Sequence, residues 1–170
     1  SFHCGQAEIF CFNDREQPSV VPEVEIIEED TWQIMAADTT ARDLPEHPIR
    51  LMTSLIDQEP LSPGEVVIKG KQWRVVIYDL DEDPPCRREW ARQALSQIRQ
   101  LIVRHNIQSI AVSLPGIRYG CLEWRSSLEL ILSELAANTN TSPLRIWLQI
   151  PGDQLTRITR ELARRCPADR

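Results

Sequence analysis

Residues 6–13 (QAEIFCFN) set Ala7, Ile9 and Cys11 two apart between more polar neighbours, Phe10 and Phe12 excepted, which predicts a first β-strand. A polar, proline-bearing loop, DREQPSVVPE, follows. Residues 24–27 and 31–36 read as short extended segments, with Glu28, Glu29 and Asp30 forming a turn or bulge between them. Residues 38–48 read as a loop, and residues 49–58 as a short helix with Leu51, Met52, Leu55 and Ile56 on one face. From Gly64 onward, EVVI and WRVVIYDL are β-branched runs separated by KGKQ, the pattern of a hairpin with a glycine-bearing turn. The second run is nearly all apolar, as an interior strand requires.

Asp83, Pro84 and Pro85 then punctuate the chain, Asp83 being placed to cap the next helix. In residues 86–104, Trp90, Ala94, Leu95, Ile98, Leu101 and Ile102 recur at helical spacing. Residues 107–113 read as a strand, and residues 123–137 as a helix with Trp124, Leu128, Ile131, Leu132 and Leu135 along its buried stripe. Residues 144–150 form the last strand, before a terminal helix capped by Asp153. Strands alternating with helices predict a single α/β domain, its parallel sheet built by right-handed crossovers and covered on both faces. Ligands in such sheets sit beyond the carboxyl ends of the strands, which points to the loops after Tyr78 and Ser113.

A chain of 170 residues suits one domain. Its net charge of −6 and isoelectric point of about 5.1 argue against a general nucleic-acid or anionic-membrane surface. The apolar runs are strand-sized, well short of the roughly 20 residues of a membrane span, so a soluble, cytoplasmic protein is expected. Cys4, Cys11, Cys86, Cys121 and Cys166 are odd in number, scattered and without a C-x-x-C pair, which predicts no disulfide framework. His3, His47 and His105 lack ligand spacing; neither a metal site nor a cofactor is expected.

The stretch SIAVSLPGIRYGCLEWR, residues 109–125, leads a strand through a glycine-punctuated loop into a helix. Such a loop gathers backbone N–H groups at one point and suits a phosphate or another anion. The ligand-binding residues expected are Ser113, Leu114, Pro115, Gly116, Ile117, Arg118, Tyr119, Gly120 and Cys121. The plain alternative is a strand-to-helix connection with ordinary turn glycines. Arg118 either supplies a charge to the ligand or fills the groove itself, and Tyr119 is the stacking candidate. Cys121 reads as a small half-buried thiol and Trp124 as a core residue. Asp79, Asp81 and Glu82, with Asp83, form an acidic group at the end of an interior strand. Their readings are a hard-cation site, a general base, or a solvated acidic loop.

Pro63-Gly64-Glu65-Val66-Val67, the strand at residues 74–80, the long helix, Ser109-Ile110-Ala111 and the loop Gly116-Ile117-Arg118-Tyr119-Gly120-Cys121-Leu122-Glu123-Trp124 together resemble the second half of a macro domain. The likeness is to the branch of ADP-ribosyl-glutamate hydrolases and DNA ADP-ribose-removing antitoxins. Their loop reads G-C-G-x-x-G-L-x-W, and Gly116, Leu122 and Trp124 match it. The resemblance covers residues 62–150, leaving a divergent half at residues 1–60 and a terminal helix at residues 151–166. It implies a three-layer α/β/α fold with a mixed, mostly parallel central sheet, and binding of ADP-ribose, a related nucleotide or a partner bearing it.

Macro domains also carry, near the N-terminus, a G-D-[IL] turn whose aspartate faces the adenine, and then a glycine-rich loop. Here Gly5 is the sole glycine before Pro60, Arg118 replaces a loop glycine, and the hydrolases' catalytic lysine falls near Asp81 or Glu82. These departures imply a noncatalytic binding module. Two alternatives stand beside it: a degenerate fold serving as a structural or protein-interaction domain next to a protein partner or neighbouring domain, and an ADP-ribosyl or phosphoester hydrolase using Asp79, Asp81 or Glu82.

Overall fold

The computed structural model describes residues 1–36, 59–137 and 143–166. The strands are β1 (Phe2–Cys4), β2 (Ala7–Asn13), β3 (Val24–Asp30), β4 (Val66–Lys69), β5 (Gln72–Tyr78), β6 (Ser109–Ser113) and β7 (Leu144–Ile150). The helices are α1 (Arg88–Arg104), α2 (Trp124–Ile131), extended by a π-helical turn at Leu132–Ala136, and α3 (Leu155–Arg165). The strands form one mixed sheet in the order β1-β2-β7-β6-β3-β5-β4. β2, β7, β6, β3 and β5 run parallel, and β1 and β4 close the two edges antiparallel.

The central strands carry the longest apolar side chains because each must bury a face against helices. Ile9 pairs with Ile146, which in turn pairs with Ile110, so one sheet face presents a continuous apolar row. That row packs with Leu95, Ile98 and Ile102 of α1, Leu128 and Ile131 of α2, and Ile158 and Leu162 of α3 in one core. On the opposite face Phe10 stacks on Trp147 with ring centroids 4.4 Å apart.

Several expectations hold. The hairpin forms as β4 and β5, and the strand at residues 144–150 has its expected bounds. Others are corrected. Glu28, Glu29 and Asp30 continue β3 instead of turning, with the expected irregularity present as a register shift between Glu29 and Asp30, and residues 31–36 turn rather than extend. Asp83 does not cap α1: Arg87 stands at that position with no side-chain hydrogen bond to the helix. Asp153 lies in a 3₁₀ turn, Gly152–Gln154, and Gln154 precedes α3. The expected loop and helix at residues 38–58 lie outside the described residues.

Where no disulfide framework was expected, one bond forms, between Cys4 of β1 and Cys166, just past α3. The two lie 162 positions apart in sequence, yet the sheet and the last helix bring their Cα atoms to 5.1 Å. Among the described residues no helix is long and apolar enough to cross a membrane.

Candidate functional site

A cleft of about 800 Å³ opens at the carboxyl ends of β2, β7, β6 and β3, where parallel strands leave space between their diverging loops. Ile27, Ala111 and Gln149 line it from the sheet. Three loops supply its walls: Asp14 and Arg15 come from the segment after β2, Met35 and Ala36 from the turn after β3, and Ile117 and Arg118 from the glycine loop after β6.

The turn after β3 is built around two carboxylates. Asp30 is fully buried and accepts hydrogen bonds from the backbone N–H groups of Trp32, Ile34 and Met35. Glu29, equally buried, accepts from the N–H groups of Asp30 and Ala36 and faces Arg74, whose Nη1 is 3.7 Å from its Oε2. Buried carboxylates of this kind stand only where such donors replace water. They fix the backbone that places Met35 and Ala36 at the cleft. Burial raises the Glu29 pKa above the ordinary carboxylate value, with the two backbone bonds and Arg74 opposing.

The glycine loop after β6 is held from below. Ser127 of α2, fully buried, donates its hydroxyl to the Pro115 carbonyl at 2.7 Å. Leu122 N–H closes onto the Gly116 carbonyl at 2.9 Å, and Gly120 N–H onto the Ile117 carbonyl at 3.1 Å. Gly116 sits at φ +79°, and a Cβ there would come within 2.6 Å of the Leu122 side chain. This position therefore demands glycine on both backbone and steric grounds.

The Gly116 N–H does not point into empty space. It donates at 2.7 Å to Oε1 of Glu28, a residue near the end of β3 that lines the cleft. Burial lifts the Glu28 pKa to about 7, partly offset by the Gly116 hydrogen bond and the nearby Arg118 charge. Behind the loop lies the buried Tyr78, its ring in edge contact with Tyr119 at 5.6 Å. Cys86 is also buried, its thiol pushed up to about 12 by desolvation and by neighbouring groups that include Cys121.

Of the nine loop residues expected to bind, Ser113, Leu114, Ile117 and Arg118 line the cleft. Pro115 is an anchor, and Gly116 contributes its amide. Tyr119 and Gly120 are exposed, and Cys121 is half-buried. Arg118 does not stuff the recess: it is exposed at the rim, with its guanidinium carbon 5.5 Å from the centre of the Tyr119 ring. The acidic group stands apart, since Asp79, Asp81 and Glu82 do not line the cleft. Asp81 and Glu82 are exposed, and Asp81 accepts a hydrogen bond from the Trp32 indole at 3.1 Å. Among the described residues no group of three His, Cys, Asp or Glu side chains is placed to hold a metal ion.

Sequence reasoning missed Glu28, Asp14 and Arg15. The signal for Glu28 was its place two residues after Ile26, on the same strand face; reading residues 28–30 as a turn concealed it.

No protein-family model matches the sequence, and no curated protein matches it significantly. Solved structures do match. The macro domain of ganglioside induced differentiation associated protein 2 superposes with a TM-score of 0.65 at 8% identity, covering 96% of this chain and 87% of that one. The macrodomain of Thermus aquaticus DarG gives 0.60 at 17% identity, covering 86% of this chain and 99% of its own. The macrodomain of Mycobacterium tuberculosis DarG gives 0.60 at 14% identity, covering 82% and 97%. With this strand order, the cleft at the strand ends and these likenesses, the chain has the macrodomain fold.

Proposed function

We propose that the cleft binds ADP-ribose, a related nucleotide or an ADP-ribosylated partner, and does so without turning it over. The observation that carries this reading is the cleft itself, of a size suited to a nucleotide, bounded by a glycine loop at the carboxyl ends of parallel strands. The loop offers the Gly116 amide and the Arg118 charge to a diphosphate, and Tyr119 an exposed ring to stack. Asp14, directly after β2, lines the cleft and offers a carboxylate acceptor to an adenine amino group. A binding role without turnover is supported by the acidic residues near the expected catalytic lysine position, because Asp81 and Glu82 are exposed and away from the cleft.

One observation favours a second reading, a domain kept for protein interaction: the Gly116 amide is already engaged by Glu28. A calorimetric titration with ADP-ribose separates the two. A ligand that binds the folded state raises its stability with the logarithm of ligand excess, so a parallel thermal-shift series must rise with ADP-ribose concentration. Saturable binding and no released product support the module. A flat series at millimolar ligand supports the interaction domain.

A further inference from the structure

Glu28 holds the place that an anionic ligand would take. The Gly116 N–H donates to its carboxylate at 2.7 Å, and Glu28 is one of the residues that line the cleft. A phosphate oxygen and an ionised carboxylate cannot share one amide donor without like-charge repulsion, which a partly desolvated cleft strengthens. The rest of the cleft adds to that repulsion, since Asp14, Glu16 and Glu25 line it against Arg15 and Arg118. We infer that Glu28 is a proton-operated gate on the anion-binding loop: a phosphate oxygen reaches the Gly116 amide when Glu28 has taken up a proton. The balance is simple. One proton from solvent forms an O–H bond on the Glu28 carboxylate as the anion enters, and that O–H can then donate to the anion.

The surroundings make Glu28 the responsive group. Gly116 and Arg118 face it from the glycine loop and favour its charged form. Tyr78 of β5 and Cys86, between β5 and α1, lie close enough to feel its charge; burial keeps the phenol well above its ordinary value and the thiol at about 12, so both are neutral near pH 7. β6 presents Val112, and Leu114 directly follows the strand, both apolar. On β3 itself, Glu29 turns to the opposite face toward Arg74, and Asp30 is engaged by the following turn. Glu28 titrates at about 7, which places its change of charge in the physiological range.

This inference rests on reading the cleft as an anion site, and its test separates the two. Two probes whose own charge stays constant, sulfate and ADP-ribose, are titrated at constant ionic strength from about pH 5.5 to about pH 8.5, following the Gly116 amide by NMR. For the wild type, affinity falls as pH rises through Glu28 ionisation, by up to about tenfold per pH unit above the midpoint. Glu28→Gln keeps the size and the carbonyl acceptor, and binds at all pH values with the affinity the wild type shows in acid. A flat wild-type profile, or a slope that survives in Glu28→Gln, overturns the gate while leaving ADP-ribose binding intact. Sulfate binding that follows the predicted slope, with no ADP-ribose binding, upholds the gate and ends the ADP-ribose reading. Failure of both anions to bind either protein at any pH overturns both.

Discussion

The turn after β3 and the loop after β6 both end a parallel strand at the cleft, and both direct backbone amides at a carboxylate. Their carboxylates come from different places. Asp30 belongs to the turn that it organises, is fully buried, and gathers the amides of Trp32, Ile34 and Met35. Glu28 reaches the glycine loop from a strand 88 positions earlier in the chain, receives the Gly116 amide, and belongs to the lining of the cleft. The first arrangement is local, dry and shared among several donors, which suits a fixed wall. In the second, a distant, half-buried group accepts from a single amide, which suits a contact that a ligand can replace.

Removing Asp30 should break the fixed wall most severely. Asp30→Ala strands several buried amide donors and is expected to cost about 3–4 kcal/mol in urea denaturation, beyond the cost of one unsatisfied group. A loss below about 1 kcal/mol would mean that the wall does not depend on its carboxylate. Gly116→Ala ranks next. The left-handed backbone and the 2.6 Å approach to Leu122 should together cost about 2–3 kcal/mol and abolish anion binding, with heat capacity scans and ligand titration as the readouts. Retained affinity in a folded variant would remove the glycine loop from the site.

Glu28→Gln should act in the opposite direction. Because the folded-state pKa of about 7 lies above the ordinary 4.5, ionising Glu28 costs stability. The cost is absent below the ordinary value, accumulates as pH rises toward about 7, and is constant above it. The variant should therefore be more stable than the wild type by up to about 3 kcal/mol above neutrality, a gain that vanishes in acid. Denaturation midpoints measured across that window check the sign: a variant that is less stable at high pH would show that the charged carboxylate anchors the loop.

The two loops also differ in how plainly the sequence displays them. The glycine loop is legible because its parts are neighbours: an apolar strand, Gly116, Gly120 and a helix with Leu128 and Ile131 on its buried face occur within one short stretch. The β4–β5 hairpin is legible for the same reason, its alternation and turn being local. β3 was misread at Glu28, Glu29 and Asp30, since charged residues in succession resemble a turn until the amides that satisfy them are known. The Cys4–Cys166 bond and the Glu28–Gly116 contact join distant positions and leave no trace in local periodicity. The acidic residues at 79, 81 and 82 were conspicuous in the sequence and stand outside the cleft, which opens at the ends of β2, β7, β6 and β3 while β5 lies beyond β3 in the sheet. Local pattern identified the loop, and only the sheet order supplied its partner.

The central claim is that ligand enters between the segment after β2 and the glycine loop. Amide chemical-shift mapping during an ADP-ribose titration in mildly acidic buffer tests it most directly. The account predicts saturable shifts at Asp14, Arg15, Ile27, Gly116, Ile117 and Arg118, with little change at Asp79, Asp81 and Glu82. Shifts centred on those three acidic residues, or none anywhere at millimolar ligand, would contradict it.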